Sequence, residues 1–184
     1  MQDTTRFQLG DADQECRYPV NVDGKNVGLI YRWHGAWYAV PAGQSDEFRV
    51  GAGSTGSEAA ARYLTEEFDA GRITPQKNTE TGTAAPRELV GPVPLLHPRM
   101  PATPRNTKAA HAAMAGLTEH LWTPLHGYPG ADNPWALKCG LCGWQGPRYW
   151  SHLRGRNGNP PSTFRHPECL DAEKVRARIT AYQK

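Results

Sequence analysis

The sequence predicts an α+β protein: a small N-terminal three-stranded antiparallel sheet with one helix, a Pro-rich linker, and a compact C-terminal module. Three observations carry this. Residues 17–40 read as apolar strand segments broken at Asp23-Gly24 and His34-Gly35, each suited to a tight hairpin turn. The chain of 184 residues is 38% hydrophobic and holds 19 Gly and 16 Pro, too little apolar material for one large core but enough for two small ones. Closely spaced Cys/His pairs, Cys139 with Cys142 and His166 with Cys169, occur only near the C-terminus.

The first module spans about 16–70. Residues 17–23 read as a strand ending at Asp23-Gly24. Val27, Leu29, Tyr31 and Trp33 share one parity, and Trp37 to Val40 resume the pattern beyond His34-Gly35, giving two further strands. A polar loop and a Gly/Ser-rich stretch, 51–56, follow. Residues 57–68 read as a helix with Ser57 or Thr55 as its N-cap and Glu58 in its first turn. Ala60, Tyr63, Leu64 and Phe68 form the apolar stripe that would cover the sheet.

Residues 71–118 are rich in Pro, Thr and Ala. Their prolines lie too close together for a helix and are too frequent for a central strand. The segment reads as an extended linker, docked at Val93-Pro94-Leu95-Leu96, with a short helix over 107–119. The third module, 119–184, reads as a strand, a Cys139–Cys142 knuckle, a second strand, a polar Gly/Pro-rich loop over 151–164, and a helix from Arg165 onward. Pro167 suits the first turn of that helix, and Asp171 and Glu173 its positive end.

Charge is distributed unevenly. Residues 1–70 carry six Lys/Arg and eleven Asp/Glu, a net of −5, whereas residues 135–184 carry nine and three, a net of +6. A polyanion should therefore meet the C-terminal module. No run of about 18 apolar residues exists, so no membrane span or membrane partner is expected. The N-terminus lacks a basic start followed by an apolar stretch. A cytoplasmic protein is the default expectation, and in a reducing compartment paired cysteines are more often metal ligands than disulfides.

Cys139-Gly-Leu-Cys142 puts two thiols on one tight turn, and Gly143 follows where positive φ is needed. His166-Pro-Glu-Cys169 offers a second pair. Three thiolates and one imidazole suit tetrahedral structural Zn²⁺ with no open position. A rival set uses Cys139, Cys142, His152 and His166 and leaves Cys169 free. Cys16 is isolated, and His34, His97, His111, His120 and His126 show no ligand-like pairing.

The order knuckle, loose hairpin, helix-borne second pair resembles a treble-clef zinc finger over about 135–184. The resemblance implies Cys139, Cys142, His166 and Cys169 as ligands, the second pair at a helix start. Around this site Arg148, Arg154, Arg156 and Arg165 cluster with Tyr149, Trp150 and His152. Basic groups interleaved with aromatics suit phosphates and stacked bases, so Arg148, Tyr149, His152, Arg154, Arg156 and Arg165 are the expected nucleic-acid contacts. Gly155 and Gly158 would let the backbone approach another chain. Trp135, Trp144 and Trp150 are expected to fill the small core.

Two further resemblances bear on function. HNH-type nucleases built on a treble clef carry a His about ten residues after the knuckle, where His152 falls, which implies a metal-dependent nuclease. The pattern fails elsewhere. No Asp precedes His152, Ser162 and Thr163 stand near the usual Asn position, Asn157 and Asn159 lie too close to His152, and no His follows Cys169. In the first module, Gly28, Trp37, Tyr38, Ala39, Ser57, Glu58 and Ala59 form a pattern similar to the arm-type DNA-binding domain of phage tyrosine recombinases. That resemblance implies DNA contact, whereas the −5 charge favours a protein partner or self-association through residues 16–70. The Ala/Arg/Gly/Pro-rich composition resembles that of actinobacterial or phage accessory proteins. The function expected from sequence is a non-enzymatic zinc-finger protein that binds DNA or RNA through its C-terminal module, with a protein–protein adaptor and an HNH-like nuclease as alternatives.

Overall fold

Two tight hairpins organise the first of two units. The structure is a computed structural model that describes residues 6–77 and 91–183, and the chain divides into Met1–Arg87 and Glu88–Lys184. In the first unit, β1 (Phe7–Leu9), β2 (Arg17–Val22), β3 (Lys25–Trp33), β4 (Ala36–Pro41) and β5 (Phe48–Ala52) form an antiparallel sheet in sequential order. Asp23-Gly24 and His34-Gly35 make the β2–β3 and β3–β4 turns, and all four residues have positive φ. That is the type I′ geometry, whose twist matches that of the strands.

The sheet has five strands where the sequence predicts three. β1 is only three residues long, too short to show a period. β5 includes Val50-Gly51-Ala52, where the sequence reads as a polar and Gly-rich loop. The register of β2 against β3 slips between Val20 and Asn21, which makes Val27 the extra residue of a bulge. Val27 therefore joins Ile30 in the core, and the parity it shares in sequence with Leu29, Tyr31 and Trp33 does not survive.

The helix α1 (Gly56–Asp69) covers this core with Ala60, Ala61 and Leu64, and Tyr63 and Phe68 pack at its edge. Its N-cap is Thr55, which makes no side-chain cap bond, while Ser57 lies inside the helix and Glu58 pairs with Arg62. Gly28 sits in β3 with φ +149, and a Cβ there would lie 2.3 Å from the carbonyl oxygen of Val40. Only glycine allows β4 to approach so closely.

The second unit contains α2 (Pro104–Glu119), a sheet of β6 (Trp122–Pro124), β7 (Pro134–Cys139) and β8 (Gln145–Tyr149), and two short helices, α3 (Trp150–Leu153) and α4 (Ala172–Arg178). A 3₁₀ turn, Thr180–Gln183, follows α4. The expected linker is thus part of this unit from residue 91 onward, and its portion over 78–90 lies outside the described residues. Docking at Leu95-Leu96 occurs through Leu96 paired with Tyr128 and through Tyr128 N–H donating to the Leu95 carbonyl at 3.0 Å. The helix expected over 107–119 starts three residues earlier. Thr103 accepts the Asn106 N–H at 3.2 Å, and Pro104 takes the first turn, where its missing N–H costs nothing.

Ala110, Ala113 and Leu117 of α2 face Trp122, Trp135, Leu137 and Trp150. The expectation that tryptophans fill this core holds for Trp135 and Trp150, which are buried, while Trp144 is half-buried at its margin. Gly116 exists as a seat for Trp150, since a Cβ would meet the indole at 2.3 Å.

The docked strap carries a histidine pair invisible to spacing rules. His97 and His126 lie 4.7 Å apart between ring centroids. His97 Nδ1 accepts the Arg99 N–H at 3.1 Å, and His126 Nδ1 accepts the Gly127 N–H at 2.9 Å. Burial, then the neighbouring His126 and Arg99, push the His97 pKa down to about 4.

Two outcomes are expected. Gly28→Ala should destabilise the first unit by about 1–3 kcal/mol in chemical denaturation, because it combines a disfavoured φ with a backbone clash. Between pH 6.5, the ordinary histidine value, and about 4, the unfolded chain binds a proton that folded His97 refuses. Stability of the second unit should therefore fall as pH drops through that window. Thermal melts of zinc-loaded His97→Gln should show a flatter pH dependence there than wild type, and an identical slope would refute the assignment.

Candidate metal centre

The two ligand pairs are carried by two turns. Cys139 ends β7, and the chain reverses through Gly143, whose N–H donates to the Cys139 carbonyl at 2.8 Å while the Cys139 N–H donates to the Trp144 carbonyl at 2.7 Å. Gly143 has φ +80, as the knuckle requires. The second turn is closed by the Cys169 N–H donating to the His166 carbonyl at 3.3 Å, with Glu168 at φ +65. Here the structure departs from the treble-clef expectation. His166 and Cys169 do not lie on a helix; α4 begins at Ala172, capped by Asp171, which accepts the Lys174 N–H at 2.9 Å.

The four side chains converge. One ligand atom from each of Cys139, Cys142, His166 and Cys169 lies within 4.8 Å of every other. The Cys139 and Cys169 sulfurs are 4.0 Å apart, and Cys142 Sγ lies 3.0 Å from His166 Nε2. Tetrahedral zinc with bonds of about 2.0–2.3 Å needs ligand atoms roughly 3.5–3.8 Å from one another, a spacing that the observed separations straddle, so the tetrad could hold such an ion. His166 Nδ1 lies 2.6 Å from the Pro167 carbonyl, which can only accept. Nδ1 thus carries the proton and Nε2 presents its lone pair to the thiols. The imidazole also stacks on Trp144 at 4.4 Å with an interplanar angle of 8°.

The central electrostatic partner of this site is Arg165. Its side chain is 1% exposed, and each terminal group is used. Nε–H donates to Cys139 Sγ at 3.0 Å, Nη1 to the His120 carbonyl at 2.8 Å, and Nη2 to the Leu121 carbonyl at 2.6 Å. The guanidinium plane lies 4.0 Å from the Trp122 ring. Burial raises the Cys139 thiol, but donation from Arg165, then from the Leu141 N–H, together with the Arg165 charge, overrides it and brings the pKa down to about 6. Burial, and then the charge on Cys139, push Cys169 up to about 11 against the Leu170 N–H. One thiolate is therefore ready at neutral pH. Three thiolates around a divalent cation would carry a single net negative charge, which the arginine offsets.

Arg165 is accordingly corrected from an expected nucleic-acid contact to a support of the metal ligands. Arg148 is also partly withdrawn. Its guanidinium lies over Trp144 at 5.0 Å and Phe164 at 5.4 Å, and its Nε and Nη2 are buried without a hydrogen-bond partner. Burial, and then the charge of Arg165, lower its pKa. Tyr149 is half-buried, with its ring 5.3 Å from the exposed His152. Arg154 and Arg156 are exposed, and Arg156 pairs loosely with Asp132 at 3.4 Å.

No protein-family model, curated protein or solved structure matches this chain. What it does must be read from its own residues. His152 stands outside the metal tetrad, which is the only group of three or more metal-binding side chains among the described residues. A Cβ at Gly155 would lie 2.4 Å from the Asn159 carbonyl oxygen, so this glycine lets the loop fold on itself, while the surroundings of Gly158 are open. Sequence reasoning missed Arg165 as a support of the ligands. Its one signal was its position directly before His166.

Arg165→Lys keeps the charge but loses the fork of donors. It should weaken zinc binding by about ten- to a hundred-fold in chelator competition, while Cys142→Ser should leave the purified chain without stoichiometric zinc by elemental analysis.

Proposed function

We propose that the second unit is a non-enzymatic, structural-zinc module that binds nucleic acid, DNA or RNA, through its exposed basic surface. The observation that supports this reading most is the separation of roles among its arginines. Arg165 is withdrawn into the metal site, whereas Arg154, Arg156, Arg176 and Arg178 stay exposed on a segment whose net charge is +6. Among the described residues, the only carboxylate pairing of these four is the loose and exposed contact of Arg156 with Asp132, which is weak enough to exchange for a phosphate.

A closed tetrad of three thiolates and one imidazole leaves zinc no open coordination position. Its role is then to hold the fold, with binding done by the residues around it. The nuclease alternative needs other metal ligands to gather at His152, and the tetrad does not include it. The adaptor alternative rests on the acidic first unit. There Asp13, Glu15, Asp23, Glu58, Glu67 and Asp69 share four arginines of the same unit, which localises part of the acidity in ion pairs and leaves the net charge of −5 over residues 1–70 in place. None of the described helices is long and apolar enough to cross a membrane.

Binding to DNA or RNA should weaken with salt, since each phosphate contact releases counterions. Arg154→Ala with Arg156→Ala should lower affinity about tenfold or more and flatten the log–log salt slope by roughly 1.5–2. Fluorescence anisotropy at several salt concentrations measures both, and unchanged affinity in the double variant would defeat the reading.

A further inference from the structure

The loop between the ligand pairs encloses a groove that the charge argument alone does not use. It has a volume of about 620 Å³ and is lined by His152, Arg156, Phe164, Arg176 and Tyr182, with Asn159 and Ser162 among its polar wall residues and no Asp or Glu along it. Phe164 is 63% exposed, the most exposed large hydrophobic side chain among the described residues. The Arg148 guanidinium lies over its ring at 5.4 Å, which holds the aromatic from the protein side and leaves it open outward. The far wall is braced, because Tyr182 OH donates to the Ser162 carbonyl at 2.8 Å.

An exposed aromatic is ordinary when it stands alone. This one stands in a concave site between two arginines and a histidine, without a carboxylate on the lining. The combination matches an unstacked base on an aromatic face with its phosphates held by cations. A duplex does not fit it. Its bases are stacked inward, and its phosphates lie on a broad cylinder that offers no unstacked base to the ring.

We infer that this groove is a binding site for single-stranded nucleic acid, with Phe164 as the stacking platform and Arg156 and Arg176 as the phosphate contacts. The inference rests on the proposed nucleic-acid function and narrows it to one ligand form and one surface.

The test uses the full zinc-loaded chain and fluorescence anisotropy with short oligo(dT), short oligo(rU) and a mixed-sequence duplex. Both single strands are expected to bind more tightly than the duplex, and the stronger of the two identifies the preferred sugar. Phe164→Ala should weaken single-strand binding by about ten- to a hundred-fold, while Phe164→Trp should retain it. Both variants should keep their zinc, because the ring is exposed. Arg156→Ala with Arg176→Ala is the independent variant and should reduce the salt slope for a single strand by roughly 1.4. If the duplex binds as well as the single strands, or if Phe164→Ala and the double arginine variant both leave binding unchanged, the groove assignment is overturned and the broader function survives. If none of the three probes binds, both fall together.

Discussion

A charge buried to 1% exposure must be answered on every side, and in the second unit the answering groups come from two separate parts of the chain, residues 120–122 and Cys139. Arg165 takes the carbonyls of His120 and Leu121 at the end of α2, the sulfur of Cys139 at the end of β7, and the face of Trp122 in β6. The Leu121 carbonyl also accepts the Gly140 N–H at 2.8 Å, so the helix end and the knuckle meet at one oxygen. Removing any of these partners would leave a buried cation short of compensation, a cost of several kcal/mol. The metal ligands, the end of α2 and the β6–β7 edge are in this sense one electrostatic unit. The thiolate makes the arginine tolerable, and the arginine lowers the thiol.

This interdependence explains which parts of the structure were legible in the sequence. Features written in local spacing were readable: the two I′ hairpins from Asp23-Gly24 and His34-Gly35, the covering stripe of α1, and the Cys139–Cys142 and His166–Cys169 pairs. Arg165 was not, because nothing local separates a buried arginine from a surface one, and four arginines close together suggested a single exposed cluster. The same limit applies to the carriage of the second pair. Pro167 satisfies the rule for a first helical turn, yet Glu168 adopts φ +65 and the segment closes as a turn. Ligand convergence, a tertiary requirement, outweighs the local preference there.

The apolar bookkeeping of the middle segment failed for a related reason. Its prolines correctly argued against a helix or strand over residues 91–103, but the same density hid a helix start in which Thr103 caps and Pro104 occupies the one position where it is favourable. The short apolar run at Leu95-Leu96 docks because Tyr128 supplies the backbone partners that an extended strap needs. A segment that looks like a linker in composition is thereby part of a core whose other walls are tryptophans.

The zinc site and the groove are coupled through chain entropy. The loop from Cys142 to His166 contains only the five residues of β8 and the single turn of α3 as regular structure before it reaches the second ligand pair. Left open, such a segment would spread over many conformations, and holding an exposed aromatic in one groove with two arginines would cost that freedom on each binding event. Joining its ends through four ligands to one ion removes most of that cost in advance. Its interior is then stiffened by Pro160-Pro161, by the fold-back at Gly155 and by the Tyr182–Ser162 contact. A metal held by the tetrad would thus act on the groove without touching it, by making the loop that forms its walls short of alternatives.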